Sequence, residues 1–158
     1  MPADRAYVAV ADGEPLPADG PVIVSLKRFQ AERDLLLARG EKLGLRLDAS
    51  ESPEQIGADV HKLALIVLHV PYFRDGRAYS WARLLRTRLG YKGEIRVSGH
   101  YLRDQIAFLA RVGVDAFVLT EKLSAGDVEA ALREFSNVYQ PSVDGRVTIG
   151  DLRRGGAR

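Results

Sequence analysis

Short apolar runs alternate with amphipathic segments along most of this 158-residue chain. The runs are rich in valine, isoleucine or leucine, a composition that predicts β-strands. Between them, apolar side chains recur every three or four positions, which predicts helices. The predicted strands are residues 22–26, 43–48, 63–70, 93–99 and 115–120. This alternation predicts an α/β fold in which five βα units form a mainly parallel sheet.

Two architectures are compatible with this order of elements. Five βα units are too few to close an eight-stranded barrel, so the sheet is either open and doubly wound or part of an incomplete barrel. We favour the doubly wound sheet, in which the continuous apolar run 63–70 is a strand buried on both faces. The sequence contains no Gly-x-Gly-x-x-Gly motif and no P-loop, so it lacks a recognisable dinucleotide or nucleoside triphosphate site.

Several residues mark the ends of the predicted helices. Ser52 and Pro53 suit a helix start, because serine caps the first turn and proline lacks only an N–H that has no partner there. Ser124 and Asp127 have the spacing of a capping box. Gly113 follows an apolar helical stripe and predicts a left-handed cap at the helix C-terminus.

The chain divides into three parts. Residues 21–140 hold all of the predicted strands and helices and form a single α/β domain. Residues 1–20 predict an irregular lead-in or a small hairpin. Residues 141–158 predict a tail that is rich in glycine and arginine and partly frayed. The whole chain is long enough for one domain with a sizeable core, but not for two.

Composition argues against several kinds of chemistry. The chain has no cysteine, so it offers no thiol nucleophile, disulfide or cysteine-ligated metal. Its three histidines are scattered, and we expect no metal site and no cofactor. A formal net charge of +2 without a basic stripe argues against nucleic-acid binding. No apolar stretch approaches the roughly 18 residues of a membrane span. We therefore expect a cytoplasmic protein that does not bind membranes.

Parallel sheets bind ligands at the edge formed by the carboxyl ends of their strands. The segment "YFRDGRAYS", residues 72–80, lies there, between the third predicted strand and a helix. Arg74 and Arg77 flank its turn, and guanidinium groups and helix N-termini both attract anions. Arg83 and Arg86 lie off the apolar face of the following helix, and we expect them to be solvated. The candidate anion- or substrate-binding residues are Arg74, Asp75, Arg77, Tyr79, Ser80, Arg103 and Gln105.

Most of these residues also have a structural interpretation. Asp75 precedes a glycine and suits a turn residue that caps the next helix. Arg103 lies in a first helical turn, where the helix dipole disfavours a cation, so its presence favours a ligand or an ion pair. The candidate catalytic residues are His100 and Asp104, since histidine suits proton transfer near neutral pH. A capping or contact role for His100 is an equal alternative, and we assign no role to His69.

Residues 73–119 combine several motifs, among them Asp-Gly-Arg-x-Tyr-Ser, Gly-Tyr-x-Gly-Glu-x-Arg and Leu-x-Asp-Gln. With them the chain resembles a bacterial family described as domain of unknown function nine-three-four. Two positions depart from that family. Val112 stands where the family often has cysteine, so a thiol mechanism is impossible here. His100 stands where the family often has aspartate, which removes a carboxylate from that strand end.

Members of that family are commonly labelled as oxidoreductases involved in sulfite reduction, which implies a pathway rather than a mechanism. The resemblance implies an accessory protein of assimilatory sulfite reduction. Such a protein binds either a sulfur oxyanion or a partner, which is sulfite reductase or another sulfur-assimilation enzyme. The alternative is an enzyme of that oxidoreductase pathway, in which Arg77 and Arg103 hold a small anionic substrate and His100 or Asp104 moves a proton. The sequence has no recognisable redox-active group, which favours the accessory protein.

Overall fold

The computed structural model describes residues 7–39 and 42–155. Parts of the predicted lead-in and tail, residues 1–6 and 156–158, lie outside this range. The strands are β1 (Val8–Ala9), β2 (Val22–Ser25), β3 (Leu43–Leu47), β4 (Leu65–Val70), β5 (Glu94–Gly99) and β6 (Ala116–Phe117). The α-helices are α1 (Leu26–Ala31), α2 (Arg33–Ala38), α3 (Arg77–Thr87), α4 (Arg103–Arg111), α5 (Ala125–Arg133) and α6 (Ile149–Gly155). A 3₁₀ helix, Pro53–Lys62, precedes β4.

The six strands form one sheet in the order β1-β2-β3-β4-β5-β6, and every neighbouring pair is parallel. The predicted class, an α/β fold with a parallel sheet, is confirmed. The strand order never reverses, whereas a doubly wound sheet requires a reversal. The doubly wound sheet that we favoured from the sequence is therefore wrong, and the chain has the alternative architecture, an incomplete barrel in the form of a curled half-barrel. The strand that adds to the five predicted ones is β1. It pairs in parallel with β2 and is not the arm of a hairpin.

The hydrophobic core lies on one face of this sheet. Two rows of buried side chains run across the strands: Val24, Leu45, Ile66 and Ile95 in one, and Leu47, Leu68, Val97 and Phe117 in the next. The connecting helices cover these rows with buried residues such as Phe29, Leu85, Ile106 and Val128. Because the alternate residues of each strand point the other way, the opposite face becomes the inside of the curl.

The inner face carries charged and polar side chains beside apolar ones. Ser25, Arg46, Val67 and Arg96 pair across β2 to β5 in one row. Arg96 is buried, forms an ion pair with Glu94 at 2.8 Å, and lies over the ring of Tyr7. This face therefore differs chemically from the helix-covered face, and it opens toward the carboxyl ends of the strands.

The helix ends follow the predicted capping signals with one difference. Ser124 and Asp127 form the predicted capping box, with the Ser124 N–H donating to Asp127 Oδ2 at 2.8 Å. Gly113 has the predicted positive φ, at 106°. Ser52 also caps its helix, but that helix is of the 3₁₀ type and is interrupted at Gly57, whose φ is 64°. A glycine in the left-handed region cannot continue an α-helix, so the segment stays tightly wound and irregular.

Arg86 corrects the prediction that the arginines of α3 are solvated. Its side chain is only 14% exposed. It donates to the carbonyl oxygens of Tyr91 and Gly93 at 2.8 Å and of Gly113 at 3.1 Å, and it forms an ion pair with Asp115. The guanidinium thus ties α3 to the loops that enter β5 and β6.

The segment after α5 folds back along α4. Arg111 donates to the Gln140 carbonyl and pairs with Asp144 at 3.2 Å, and the Ser142 hydroxyl donates to the Arg111 carbonyl at 2.7 Å. Residues 149–155 of the predicted tail form α6. Among the residues described, no helix has the length and apolar character needed to cross a membrane.

Candidate functional site

The loops that follow β4, β5 and β6 meet at the carboxyl edge of the sheet and enclose a cleft of about 620 Å³. Its walls include Phe73 from the first loop, Leu102 from the second and Leu123 from the third, so they are largely apolar. His100 and Arg103, two of the predicted site residues, also line it. We call this space the edge cleft.

Hydrogen bonds between the loops hold the edge cleft together. The Gln105 side chain donates to the Phe73 carbonyl at 2.7 Å and accepts from the Leu102 N–H at 3.0 Å. The Tyr101 hydroxyl donates to the Val118 carbonyl at 2.7 Å, and burial raises the pKa of Tyr101 to about 12. In this structure Gln105, a predicted ligand contact, joins two loops through both ends of its amide.

Asp75 and Arg77 bind each other. Arg77 Nε and Nη2 lie 2.9 and 2.6 Å from Asp75 Oδ1 and Oδ2, and the Arg77 backbone N–H donates to Oδ1 at 3.1 Å. These side-chain and backbone hydrogen bonds from Arg77 lower the pKa of Asp75 to about 2. The N-cap of α3 is Gly76, so Asp75 lies one residue before the predicted capping position, but its carboxylate accepts the first N–H of α3 and pairs with the guanidinium of Arg77, a predicted anion anchor.

We expect an acid titration of the Asp75 carboxyl to detect its ion pair with Arg77. Carbon NMR of the Asp75 carboxyl should give a midpoint near pH 2 in the wild type and closer to the ordinary 3.8 in Arg77→Gln. Because the folded-state pKa is lowered, the pair stabilises the protein above the ordinary pKa, and this contribution is lost as the pH falls toward 2. Arg74→Gln, the control, should leave the midpoint unchanged. Equal midpoints in the wild type and Arg77→Gln would contradict the pairing.

The other predicted cations have partners as well. Arg103 Nη1 lies 3.1 Å from Glu134 Oε2 and so joins the start of α4 to the end of α5. Arg74 lies over the exposed ring of Phe73, with its guanidinium carbon 5.6 Å from the ring centre. The unfavourable position of Arg103 in a first helical turn is thus explained by an ion pair, one of the two alternatives considered.

The remaining predicted residues, Tyr79, Ser80 and Asp104, do not join the other candidate residues in one cluster. Tyr79 is half-buried against the core, and burial followed by the Asp104 charge raises its pKa. Ser80 is exposed on the next residue of α3, and Asp104 is exposed in the first turn of α4. The structure therefore brings His100 and Arg103 together at the edge cleft and Asp75 and Arg77 together at the α3 start, but not all four.

Sequence reasoning missed a second group, on the inner face near the carboxyl ends of β3 to β5. Here His69 Nδ1 lies 3.3 Å from Ser98 Oγ, and Arg46 Nη2 lies 3.0 Å from Asp48 Oδ1. Burial and then the charge of Arg46 lower the pKa of His69, against the raising effect of Asp48. The available signal was the two-residue spacing of Arg46 and Asp48, which puts both side chains on one face of a strand.

Apolar side chains are exposed on the loops that form the edge cleft. Tyr72 is 72% exposed, Phe73 47% and Leu102 45%, and Val118 and Leu119 are also exposed after β6. All five belong to the three loops that form the cleft. We call these five residues the edge patch. Phe73 and Leu102 both line the cleft, and clusters of exposed apolar side chains mark interaction sites.

Within residues 7–39 and 42–155, no group of three or more histidine, aspartate and glutamate side chains could hold a metal ion. Fold and site together define a class of protein: a parallel α/β half-barrel with an apolar cleft at the carboxyl edge of its sheet. Residues 44–149 match the family described as "Bacterial protein of unknown function (DUF934)", and the chain belongs to that family. No curated protein matches the sequence.

Proposed function

We propose that this protein is an accessory protein of assimilatory sulfite reduction that binds a partner enzyme through the edge patch. The pathway rests on the label that members of the resembled family carry, and the cytoplasmic location expected from the sequence agrees with it. The mode of action rests on one structural observation: five exposed apolar residues lie on the three consecutive loops that form one apolar cleft, and two of them, Phe73 and Leu102, line it. Sulfite reductase, or another enzyme of sulfur assimilation, is the proposed partner.

The edge patch suits a protein better than a small anion. The charged side chains that line the cleft balance, since Lys122 stands against Glu121 and Arg103 pairs with Glu134. A balanced rim exerts little net attraction on an anion. Apolar walls that continue onto exposed aromatic and leucine side chains suit an apolar segment of a partner chain, which would bury them.

The alternative, an enzyme that acts on a small anionic substrate, receives less support at this edge. Its two proposed anchors, Arg77 and Arg103, each bind a carboxylate of this chain. An incoming anion would have to displace Asp75 from its bidentate ion pair with Arg77, which is the strongest geometry available to a guanidinium. His100 lines the cleft without a paired base among the described residues.

The binding test uses the purified chain and purified assimilatory sulfite reductase in biolayer interferometry. We expect the double variant Phe73→Ser/Leu102→Ser to bind at least about tenfold more weakly than the wild type, because buried aromatic and aliphatic anchors dominate interface energies. The matched control is Phe108→Ser/Phe135→Ser. These two residues are 53% and 45% exposed, similar to the edge pair, and contact each other elsewhere on the surface.

Two results would overturn the proposal. Equal weakening by both double variants would mean that binding is not confined to the edge patch. Absence of binding by the wild type, both to sulfite reductase and to the other enzymes of sulfur assimilation, would remove the partner role.

A further inference from the structure

Three polar side chains lie side by side on the inner face of the half-barrel. His69 of β4 pairs in register with Ser98 of β5. The last paired residues of β3 and β4 are Leu47 and Leu68, so Asp48 lies one residue beyond, next to His69. The row Asp48–His69–Ser98 thus crosses three neighbouring strands at their carboxyl ends. In barrels of this type, inward-facing residues at these positions are the ones that meet ligands.

Arg46 lies one step inside this row, on the same face of β3. Its side chain is 48% exposed, and within the described residues its bond to Asp48 occupies Nη2 only. Asp48 therefore holds the guanidinium beside the row and leaves most of its donors accessible. The neighbouring Ser25 hydroxyl, in contrast, already donates to Asp12 at 2.6 Å.

The accessible polar groups are mainly donors. Arg46 presents a guanidinium. His69 Nδ1 and the Ser98 hydroxyl lie within hydrogen-bond distance of each other, so this pair keeps one further donor, the Nε2–H or the Ser98 O–H, when the imidazole is neutral and both when it is charged. Neighbouring strands are about 4.8 Å apart, so the row spans roughly 10 Å, which suits a ligand of a few heavy atoms. Guanidinium, imidazole and hydroxyl groups on neighbouring strand ends are the kinds of group that recognise oxyanions and carboxylates.

We infer that Arg46, His69 and Ser98 bind a small oxyanion or carboxylate on the inner face of the half-barrel, at the carboxyl ends of β3 to β5. This site is separate from the edge patch and does not depend on partner binding. Asp48 is a positioning residue that orients Arg46. Bound anion also favours the charged imidazolium, so binding and protonation of His69 are coupled.

The charges that face His69 set the direction of this coupling. Arg46 on β3 and His100 after β5 lower the pKa of His69, after the larger effect of burial, while Asp48 raises it. Burial and Arg46 therefore favour the neutral form of the unliganded imidazole, and a bound anion opposes both effects. Anion affinity should increase as the pH falls through the liganded pKa of His69.

Proton NMR of the histidine ring Cε1–H signals tests this site. The full chain is titrated between pH 4.5 and 9 in sodium sulfate and in sodium chloride of equal ionic strength; sulfate is a useful probe because it does not itself titrate in this range. We expect sulfate to raise the pKa of His69 by about one unit. His61, which is exposed in the 3₁₀ helix, serves as the internal control and should not respond.

Two variants test whether the response of His69 to sulfate arises at the proposed site. Arg46→Gln should raise the pKa of His69 without sulfate, because a neighbouring cation is removed, and should abolish the sulfate response. Arg83→Gln, an exposed arginine of α3, should preserve it. The inference fails if His69 does not respond, if His61 responds equally, or if the response survives Arg46→Gln. A response of His100 alone would also overturn it, since the anion would then occupy the edge cleft.

Discussion

Gly99→Ala is expected to destabilise the protein by about 3 kcal/mol, a combination of overpacking and backbone strain. Gly99 ends β5 with a φ of 95°, in the left-handed region that suits glycine. A Cβ atom there would lie 2.3 Å from the Val70 carbonyl oxygen and 2.9 Å from the His69 ring. The carbonyl cannot move away easily, because it accepts from the His100 N–H at 2.8 Å.

Urea denaturation followed by circular dichroism measures this loss. Gly76→Ala is the matched control, since Gly76 has a φ of −83° and a Cβ there would contact nothing within 4 Å. It should change the free energy of unfolding by no more than about 0.5 kcal/mol. If Gly99→Ala proved equally mild, the end of β5 would have to shift without cost, and the close packing of His69 against it would be disproved.

The parallel α/β class could be predicted from local pattern, whereas the architecture required the strand order. Buried runs such as residues 63–70 and helix caps such as Ser124 depend on neighbours in sequence, and both occur where expected. Whether crossovers reverse direction depends on contacts between distant strands. One local signal did exist: the alternation of Arg46 and Asp48 with leucines shows that one face of β3 is not covered by helices, which favours a singly wound sheet.

The sequence predicted where in the fold the candidate residues lie, but not which of them contact one another. Placing residues 72–80 at the carboxyl edge required only the strand–helix order, and the structure has them there. The contact between Arg77 and Asp75 depends on side-chain rotamers. The contact between Arg103 and Glu134 depends on the packing of a helix end that lies 31 positions further along the chain. We assign no role from the sequence to His69, which lies near the end of an apolar run. Its significance appears only when register puts it beside Ser98.

Arg86→Leu is the second substitution for which we expect a large effect, again about 3 kcal/mol. A leucine fills part of the same space but provides no donor, so three carbonyl oxygens and Asp115 lose the group that they share. The helical pattern predicts a solvated side chain at this position, because a helix projection shows which residues share a face but not what approaches that face. Two of the carbonyls, those of Tyr91 and Gly113, belong to turns before β5 and β6.

Arg83→Leu separates this role from the general effect of removing a cation from α3. Arg83 is exposed, and within the described residues its guanidinium makes no hydrogen bond, so the change should stay within about 0.5 kcal/mol. Hydrogen exchange gives a second measurement: in Arg86→Leu the Ile95 amide, which donates to Asp115 at 2.7 Å, should exchange faster than in Arg83→Leu. Equal stability and equal exchange in the two variants would mean that the loops before β5 and β6 hold their positions without Arg86, and that its contacts follow from the fold instead of stabilising it.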